Sequence, residues 1–530
     1  MTRGRRGGLA RARIRRIRVW AAVALLAAAC RPLGGEPPPG ELRINLGTEP
    51  PSLDWALATD GTSFLLLEQL MRGLTRMGPD LRPQPALAER WEVSDDGLVW
   101  TFHLRRDVVW SDGVPLEAEQ FVRGWRRLLS PQTAAEYAYF LYPVKNARAF
   151  NAGEIDDPSA VGVRARDRHT LEVELEAPLV YFPSLTTFMV TFPGRLDLVE
   201  RYGVDWTEPE HFETLGAFVL EEWRHEYKIV LRANPKYYGP PPSLERVTGY
   251  MVDMDSTALV LFEQGLIDIV RLPALEIRRF RGRPEYRTLP LLRGYYYGFN
   301  TKLPPFDDVR VRRALAHAID RREFPKVLQG GELPSGSWLP PGMPHHNAAI
   351  GLPFDPERAR ALLAEAGVDA STLPPVRIVY NTDQTHKLVA ESVQAQWREN
   401  LGLAVELENR EWKVFLKELV SRPPPIYRLG WGADFPDPDN FMNLFTSSSA
   451  NNHTGWSDAR YDRLVAEASR ELDPARRQVL YDRAQRILCE EEVPIIPFFV
   501  TSLNLAVAPR VHGFEPNAMD IYFLDSVSVR

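Results

Sequence analysis

A mixed α/β fold divided into more than one lobe is predicted by three features of the sequence. The chain has 530 residues, too many for one ordinary hydrophobic core. Segments of strict apolar–polar alternation are interspersed along it with segments of helical period. Between residues 376 and 410 these run strand, helix, strand, the order of a parallel α/β unit. Composition agrees, with 44% hydrophobic and 25% charged residues, as expected of a folded chain. The 45 prolines argue for many loops and strand edges and against a helical bundle.

The N-terminus stands apart from that fold. "MTRGRRGGLARARIRRIRVW" is densely basic, and an apolar run of eleven residues leads from it to Cys30. That is a positive n-region with an h-region too short to span a bilayer, so residues 1–30 are predicted to be a secretory signal and the chain to be exported. Ala27-Ala28-Ala29 before Cys30 resembles a bacterial lipobox, in which the cysteine is acylated and anchors the protein to a membrane. The usual Leu three residues before the cysteine is missing, Leu26 lying four before it; a plain signal cleaved nearby is the alternative. "RPLGGEPPPG", residues 31–40, reads as a flexible tether.

From residue 41 the elements follow in order. "LRINLG" alternates as a strand. "DGLVWTFHLRRDVVWSDG" predicts a hairpin with Leu98, Trp100, Phe102 and Leu104 on one face and turns at Asp96-Gly97 and Asp112-Gly113. "PLEAEQFVRGWRRLL" predicts a helix with the stripe Phe121, Val122, Trp125, Leu128 and Leu129. "HTLEVELEAP" returns to a strand, giving an α+β unit. "YKIVLRANPKYYG" is a strand, and "DVRVRRALAHAID" a helix with an acidic cap. "DPERARALLAEAG" has Asp355 as N-cap, Pro356 at the first helical position and Gly367 past the end. "VRIVYNT", a helix ending at Gly402, and "LAVELENREW" form the parallel unit. "DPARRQVLYDRAQRILCEEEVPIIPFFV" supplies a long helix, with Cys489 on it as a buried thiol, and a short buried strand.

Several chemistries are excluded. Net charge is −6, which makes no case for nucleic acid or an anionic surface as partner. No Gly-Lys step exists for a Walker phosphate loop, and no G-x-S-x-G, H-E-x-x-H or paired-cysteine metal motif appears. His345-His346 lies in a Pro/Gly loop and reads as solvated. No cofactor and no metal are predicted, and binding is favoured over catalysis.

One stretch poses a physical question. "YRLGWGADFPDPDNF", residues 427–441, puts Asp434 between Trp431 and Phe435, although acidic residues are seldom buried unless paired. Either Asp434 meets a cation, or it caps a turn before Pro436 and Pro438.

The stretch "ALAERWEVSDDGLVWTFHLRRDVVWSDGVPLEAEQFVRGWRRLL", residues 86–129, resembles the peptide/nickel class, family 5, of ABC-transporter solute-binding proteins. So do "TLGAFVLEEWRHEYKIVLRANPKYYG", "YYYGFNTKLPPFDDVRVRRALAHAID", "YNTDQTHKLVAESVQAQWRENLGLAVELENREWKVF" and "GWGADFPDPDNF", in order, over essentially the whole chain after the tether. Within the class the likeness is greatest to periplasmic oligopeptide-binding proteins. The resemblance implies a type II periplasmic-binding-protein-like clamshell, two mixed α/β lobes joined by a two-crossover hinge plus an inserted α+β lobe. Lobe I would combine residues 41–71, 195–293 and 504–530; residues 72–194 would be the inserted lobe II, and 294–503 lobe III.

The resemblance also implies a site. Asp434 matches the carboxylate that meets a peptide's free α-ammonium, a charge too costly to enclose unpaired. His386 and Arg428 match cations that receive the peptide carboxylate. Tyr137, Trp412, Leu416, Trp431 and Tyr296 match pocket walls, where broad aromatic surfaces suit unlike side chains. A cation of the relatives is replaced by Leu419, with Arg422 nearby as a substitute. An acidic pocket residue is Gly298 here, which implies a different side-chain selectivity, with more room or less preference for basic residues. Arg293 and Gly432 stand where some relatives have a disulfide.

The function so implied is a monomeric receptor of an ABC importer, at the periplasm or cell surface and lipid-anchored, not an enzyme. It would take short extended peptides by lobe closure and deliver them to a permease with separate ATPase subunits. The alternatives are another solute on the same scaffold, such as a murein peptide, dipeptide, sugar, opine or metal chelate, or a secreted hydrolase.

Overall fold

The computed structural model describes residues 38–370 and 372–530. The signal, Cys30 and residues 31–37 of the tether lie outside the described residues. Among the described residues no helix is long and apolar enough to cross a membrane, and no group of three or more His, Cys, Asp or Glu is placed to hold a metal ion.

The frame is one mixed sheet of eleven strands. Its two longest members, Tyr286–Phe299 and Ile495–Val507, pair antiparallel with a register shift between Pro290 and Gly294. At about 3.3 Å per residue each exceeds 40 Å, long enough to serve two bodies. At one end Ile495–Val507 pairs with Ile269–Arg271, which leads to Glu41–Asn45, Arg246–Tyr250, Lys228–Ala233 and Phe218–Arg224. At the other end Tyr286–Phe299 pairs with Ile426–Gly432, which leads to Val376–Asn381 and Val405–Arg410. Pro290 interrupts the ladder at the bulge, where a missing N–H is tolerated. The result is two mixed α/β lobes in a clamshell, with these two strands as the crossovers.

The parallel unit forms as its periodicity predicts. Val376–Asn381 runs parallel to Val405–Arg410 and is joined to it by the helix Gln384–Leu401. Asp383 caps that helix by accepting from the His386 backbone N–H, and Gly402 ends it at φ 72°, where a side chain would be strained. Val389, Val393 and Trp397 are fully buried on its inner face.

The added α+β unit is a four-stranded antiparallel sheet, ordered Ala88–Val93, Val99–Leu104, Thr170–Glu174, Val163–Asp167. The helix Ala118–Leu129 packs on it, burying all five residues of the predicted stripe. The hairpin is shifted from expectation: Val99–Leu104 turns back through Asp96-Gly97 onto Ala88–Val93. The Asp112-Gly113 turn closes only a single Val109–Pro115 bridge, because Thr170–Glu174 occupies the other edge of Val99–Leu104.

Two further expectations change. The strand after the helix at residues 474–486 is thirteen residues long rather than short. Cys489 lies in a π-turn at the end of that helix, 3% exposed, and burial pushes its thiol up to about 12. His345 and His346 are half-buried rather than solvated: His345 Nδ1 donates to Gln478 Oε1 at 3.1 Å, and His346 Nδ1 to the Leu339 carbonyl at 2.7 Å.

Candidate functional site

Three parallel strands, Val376–Asn381, Val405–Arg410 and Ile426–Gly432, end on one side of the sheet, where open α/β sheets offer a ligand crevice. His386 sits in the first turn of the helix that follows one of them, and Trp412 opens the helix Trp412–Ser421 that follows another. That helix turns Phe415 and Leu419 into the core and leaves Trp412 44% and Leu416 38% exposed. Leu419, where the relatives have a cation, is thus a buried packing position, while Arg422 is exposed beyond the helix end.

Arg428 reaches across this crevice. Its Nη1 donates to Asn381 Oδ1 at 3.1 Å, and its guanidinium carbon lies 4.6 Å from the centre of the Tyr295 ring. Among the described residues it makes no ion pair with a carboxylate, so it remains an available cation in the crevice. His386 is different. Its side chain is 13% exposed, its Nδ1 stands 3.4 Å from Tyr295 Oη, and burial, reinforced by the charge of Arg428, pushes its pKa down to about 4. The imidazole is therefore neutral at pH 7, and the expected second cation is a hydrogen-bonding group instead.

Two expected pocket residues belong to the interior. Tyr296 is 3% exposed and packs edge-on to Trp338 and Phe445, at 4.9 and 5.5 Å between ring centres. Its strand faces it toward the core, so it forms no wall. Gly298 pairs with Tyr427, whose fully buried ring occupies the space a side chain at 298 would enter. The missing side chain thus makes room for Tyr427 and leaves none for a ligand.

Asp434 lies where the strand Ile426–Gly432 gives way to the Pro-broken loop. Asn440 organises it: Oδ1 accepts from the Asp434 backbone N–H at 3.1 Å and from Trp431 Nε1 at 2.9 Å, while Nδ2 donates to Asp434 Oδ2 at 3.2 Å. No cation pairs with the Asp434 carboxylate among the described residues. Burial raises its pKa, partly offset by Asn440. Its charge in turn adds to the burial that raises the phenols of Tyr137 and Tyr139. Those tyrosines belong to the turn Glu136–Leu141 of the α+β unit. Tyr137 is half-buried, packed on Phe64 and Phe188 at 5.8 and 5.6 Å. Turn capping falls to Asp437, which accepts from the Asp439 backbone N–H at 2.9 Å and forms a two-pronged buried pair with Arg477.

Beside Asp434 a cavity of about 570 Å³ opens between the two halves of the sheet. Apolar lining from Ile44, Leu46, Phe64 and Phe188 meets the charged side chains of Asp60, Glu68, Arg271, Arg293, Asp434 and Asp520. The space is concave and joins apolar walls to converging polar groups, as small-ligand sites do, but it is more polar than most of them. Asn440, Tyr139 and Glu68 were not legible in the sequence. Asn440 lies in the quoted stretch, but only the loop's path brings it back onto Asp434.

A clamshell with such a crevice between its lobes defines an extracytoplasmic solute-binding protein. The family model described as "Bacterial extracellular solute-binding proteins, family 5 Middle" matches residues 82–453, and the chain belongs to that family. It is 35% identical to the probable deoxycholate-binding periplasmic protein YgiS of Escherichia coli strain K12, over 89% of this chain and 90% of that protein. It is 33% identical to the oligopeptide-binding protein OppA of Bacillus subtilis strain 168, over 91% of each. Among solved structures, the unliganded open form of the periplasmic murein tripeptide binding protein MppA superposes with a TM-score of 0.83 at 31% identity. The match covers 93% of this chain and 98% of that one.

Proposed function

We propose that this protein binds short peptides in extended form between its lobes and delivers them to an ABC permease. The observation that carries the reading is Asp434: a part-buried carboxylate at the cavity that no cation pairs among the described residues, held in place by Asn440. A peptide ammonium supplies the missing charge, and Arg428, on the strand that leads to Asp434 and without a carboxylate partner among the described residues, suits the carboxylate at the other end. His386 adds a neutral hydrogen-bonding group, and Trp412, Leu416, Trp431 and Tyr137 add contact surface. The peptide closes the lobes because it contacts both only when they meet, which makes the closed form its preferred partner. The lobe limits that suit this motion are 41–71, 195–293 and 504–530 for lobe I, 72–194 for lobe II and 294–503 for lobe III, with both hinge crossings inside the two long strands.

The reading includes export through residues 1–30, acylation at Cys30, a monomer outside the cytoplasmic membrane, no cofactor and no catalysis. Calorimetry tests it. Asp434→Ala should weaken peptides with a free amine far more than N-acetylated ones; equal loss for both rejects the assignment. Deoxycholate is the competing ligand class because a 35% identical relative is named for it. If it binds the purified protein and a mixed peptide pool does not, the peptide reading fails.

A further inference from the structure

Three of the six charged side chains that line the cavity, Asp60, Arg271 and Asp520, are already partnered. Asp60 caps the helix Gly61–Leu70 by accepting from the backbone N–H groups of Thr62 and Ser63. Arg271 and Asp520 pair with each other. Arg293 is the exception among the cations: it is exposed in the cavity and makes no ion pair with a carboxylate among the described residues. Asp520, the acidic group that acts on it, is committed to Arg271, and Arg271 and Arg428 add repulsion. The guanidinium is held open by a bare strand. Arg293 stands opposite Gly432 in the ladder, and a Cβ at 432 would approach Arg293 Nε to 3.2 Å, so glycine lets the side chain lie along the cavity wall.

Arg293 is close to the proposed ammonium site. Directly opposed strand residues lie about 5 Å apart, and Asp434 is two residues past Gly432, about 7 Å of extended chain. A peptide anchored on Asp434 therefore carries its first two side chains within reach of a long arginine. Resting on the peptide reading above, we infer that Arg293 is a specificity residue that selects peptides bearing an acidic side chain on the first or second residue. A charge-assisted, two-pronged contact of this kind is matched by a carboxylate and not by its amide.

The experiment compares Glu-Ala-Ala-Ala with Gln-Ala-Ala-Ala, and Ala-Glu-Ala-Ala with Ala-Gln-Ala-Ala, by calorimetry at pH 7.5. In the wild type at least one glutamate peptide should bind about tenfold more tightly than its glutamine twin, the size of one such contact. In Arg293→Gln that ratio should fall to about one, and Arg293→Lys should restore part of it. Glutamate and glutamine peptides binding equally in the wild type overturn the inference, as does a ratio that persists in Arg293→Gln. Failure of all four peptides to bind the wild type is a separate result, which rejects the peptide reading and this inference with it.

Discussion

Tyr181 Oη donates to Asp439 Oδ2 at 2.7 Å, and the Tyr181 ring stacks on Phe435 at 4.9 Å and 11° between planes. This joint ties the α+β unit to the loop that carries Asp434. Asp439 is 5% exposed; burial, then the neighbouring Asp437, pushes its carboxyl up to about 6. Its Oδ1 has no hydrogen-bond partner among the described residues, and Oδ2 takes both donors, Tyr181 and Asn443. Tyr181→Phe should cost about 1–3 kcal/mol, the range for leaving a buried polar group short of a partner. Urea unfolding at pH 7.5 reads it, and an unchanged midpoint contradicts the role given to this contact.

Arg477 balances the same acidic corner. Its two terminal nitrogens lie 2.6 and 2.7 Å from the two oxygens of Asp437, both side chains about 5% exposed. Arg477→Met should cost about 3–5 kcal/mol at neutral pH, because Asp437 and Asp439 are then buried together without a cation. Without the pull of Arg477 the already raised carboxyl of Asp439 is raised further, so the folded state binds its proton more tightly and the deficit shrinks on acidification. Unfolding of variant and wild type at pH 7.5 and pH 5 should show a smaller gap at pH 5. A gap independent of pH shows that lost packing, not lost charge, is the cause.

The parallel unit and the helix at 118–129 were legible because each carries its own signals: alternating strands on either side of a helix stopped at Gly402, and one uninterrupted apolar stripe. The course of the two crossing strands was not, since local alternation says nothing of which body a residue serves. The site divides in the same way. Asp434, Arg428 and Trp412 could be named from a motif, but Tyr296 and Gly298 follow the pleat of a strand that is buried on both faces there. An alternation read from sequence cannot tell a core face from a ligand face when both are apolar. The neutral state of His386 comes first from burial and then from Arg428, which is 42 positions away and brought close by the strand pairing of 376–381 with 426–432.

Glu68 gives a pH signature of the cavity itself. Its carboxyl makes no hydrogen bond or ion pair among the described residues; burial pushes its pKa from the model-compound value of 4.5 up to about 7, against the pull of Arg72 and Arg76. A carboxyl raised on folding contributes stability that is fully present below pH 4.5 and is lost as pH rises to about 7. Glu68→Gln removes the titration. It should be more stable than the wild type by about 1–3 kcal/mol at pH 8, with the difference gone at pH 4. Thermal unfolding across that range checks it; parallel curves for the two proteins contradict it.

Asn440 supplies the last test, because it serves Asp434 in two ways. It fixes the carboxylate's position and is the group that lowers its raised pKa. Asn440→Ala should therefore weaken peptides with a free amine about tenfold at pH 7.5, the value of one hydrogen bond to a charged group. It should also let Asp434 take up a proton at higher pH, since burial then acts unopposed. A protonated Asp434 offers no charge to an ammonium, so affinity is lost as pH falls through its pKa, and in the variant that loss begins at higher pH. Calorimetric titrations over a pH series in both proteins would show the displaced curve. If Asn440→Ala lowers affinity by the same factor at every pH, Asn440 only shapes the loop, and the electrostatic part of its role is wrong.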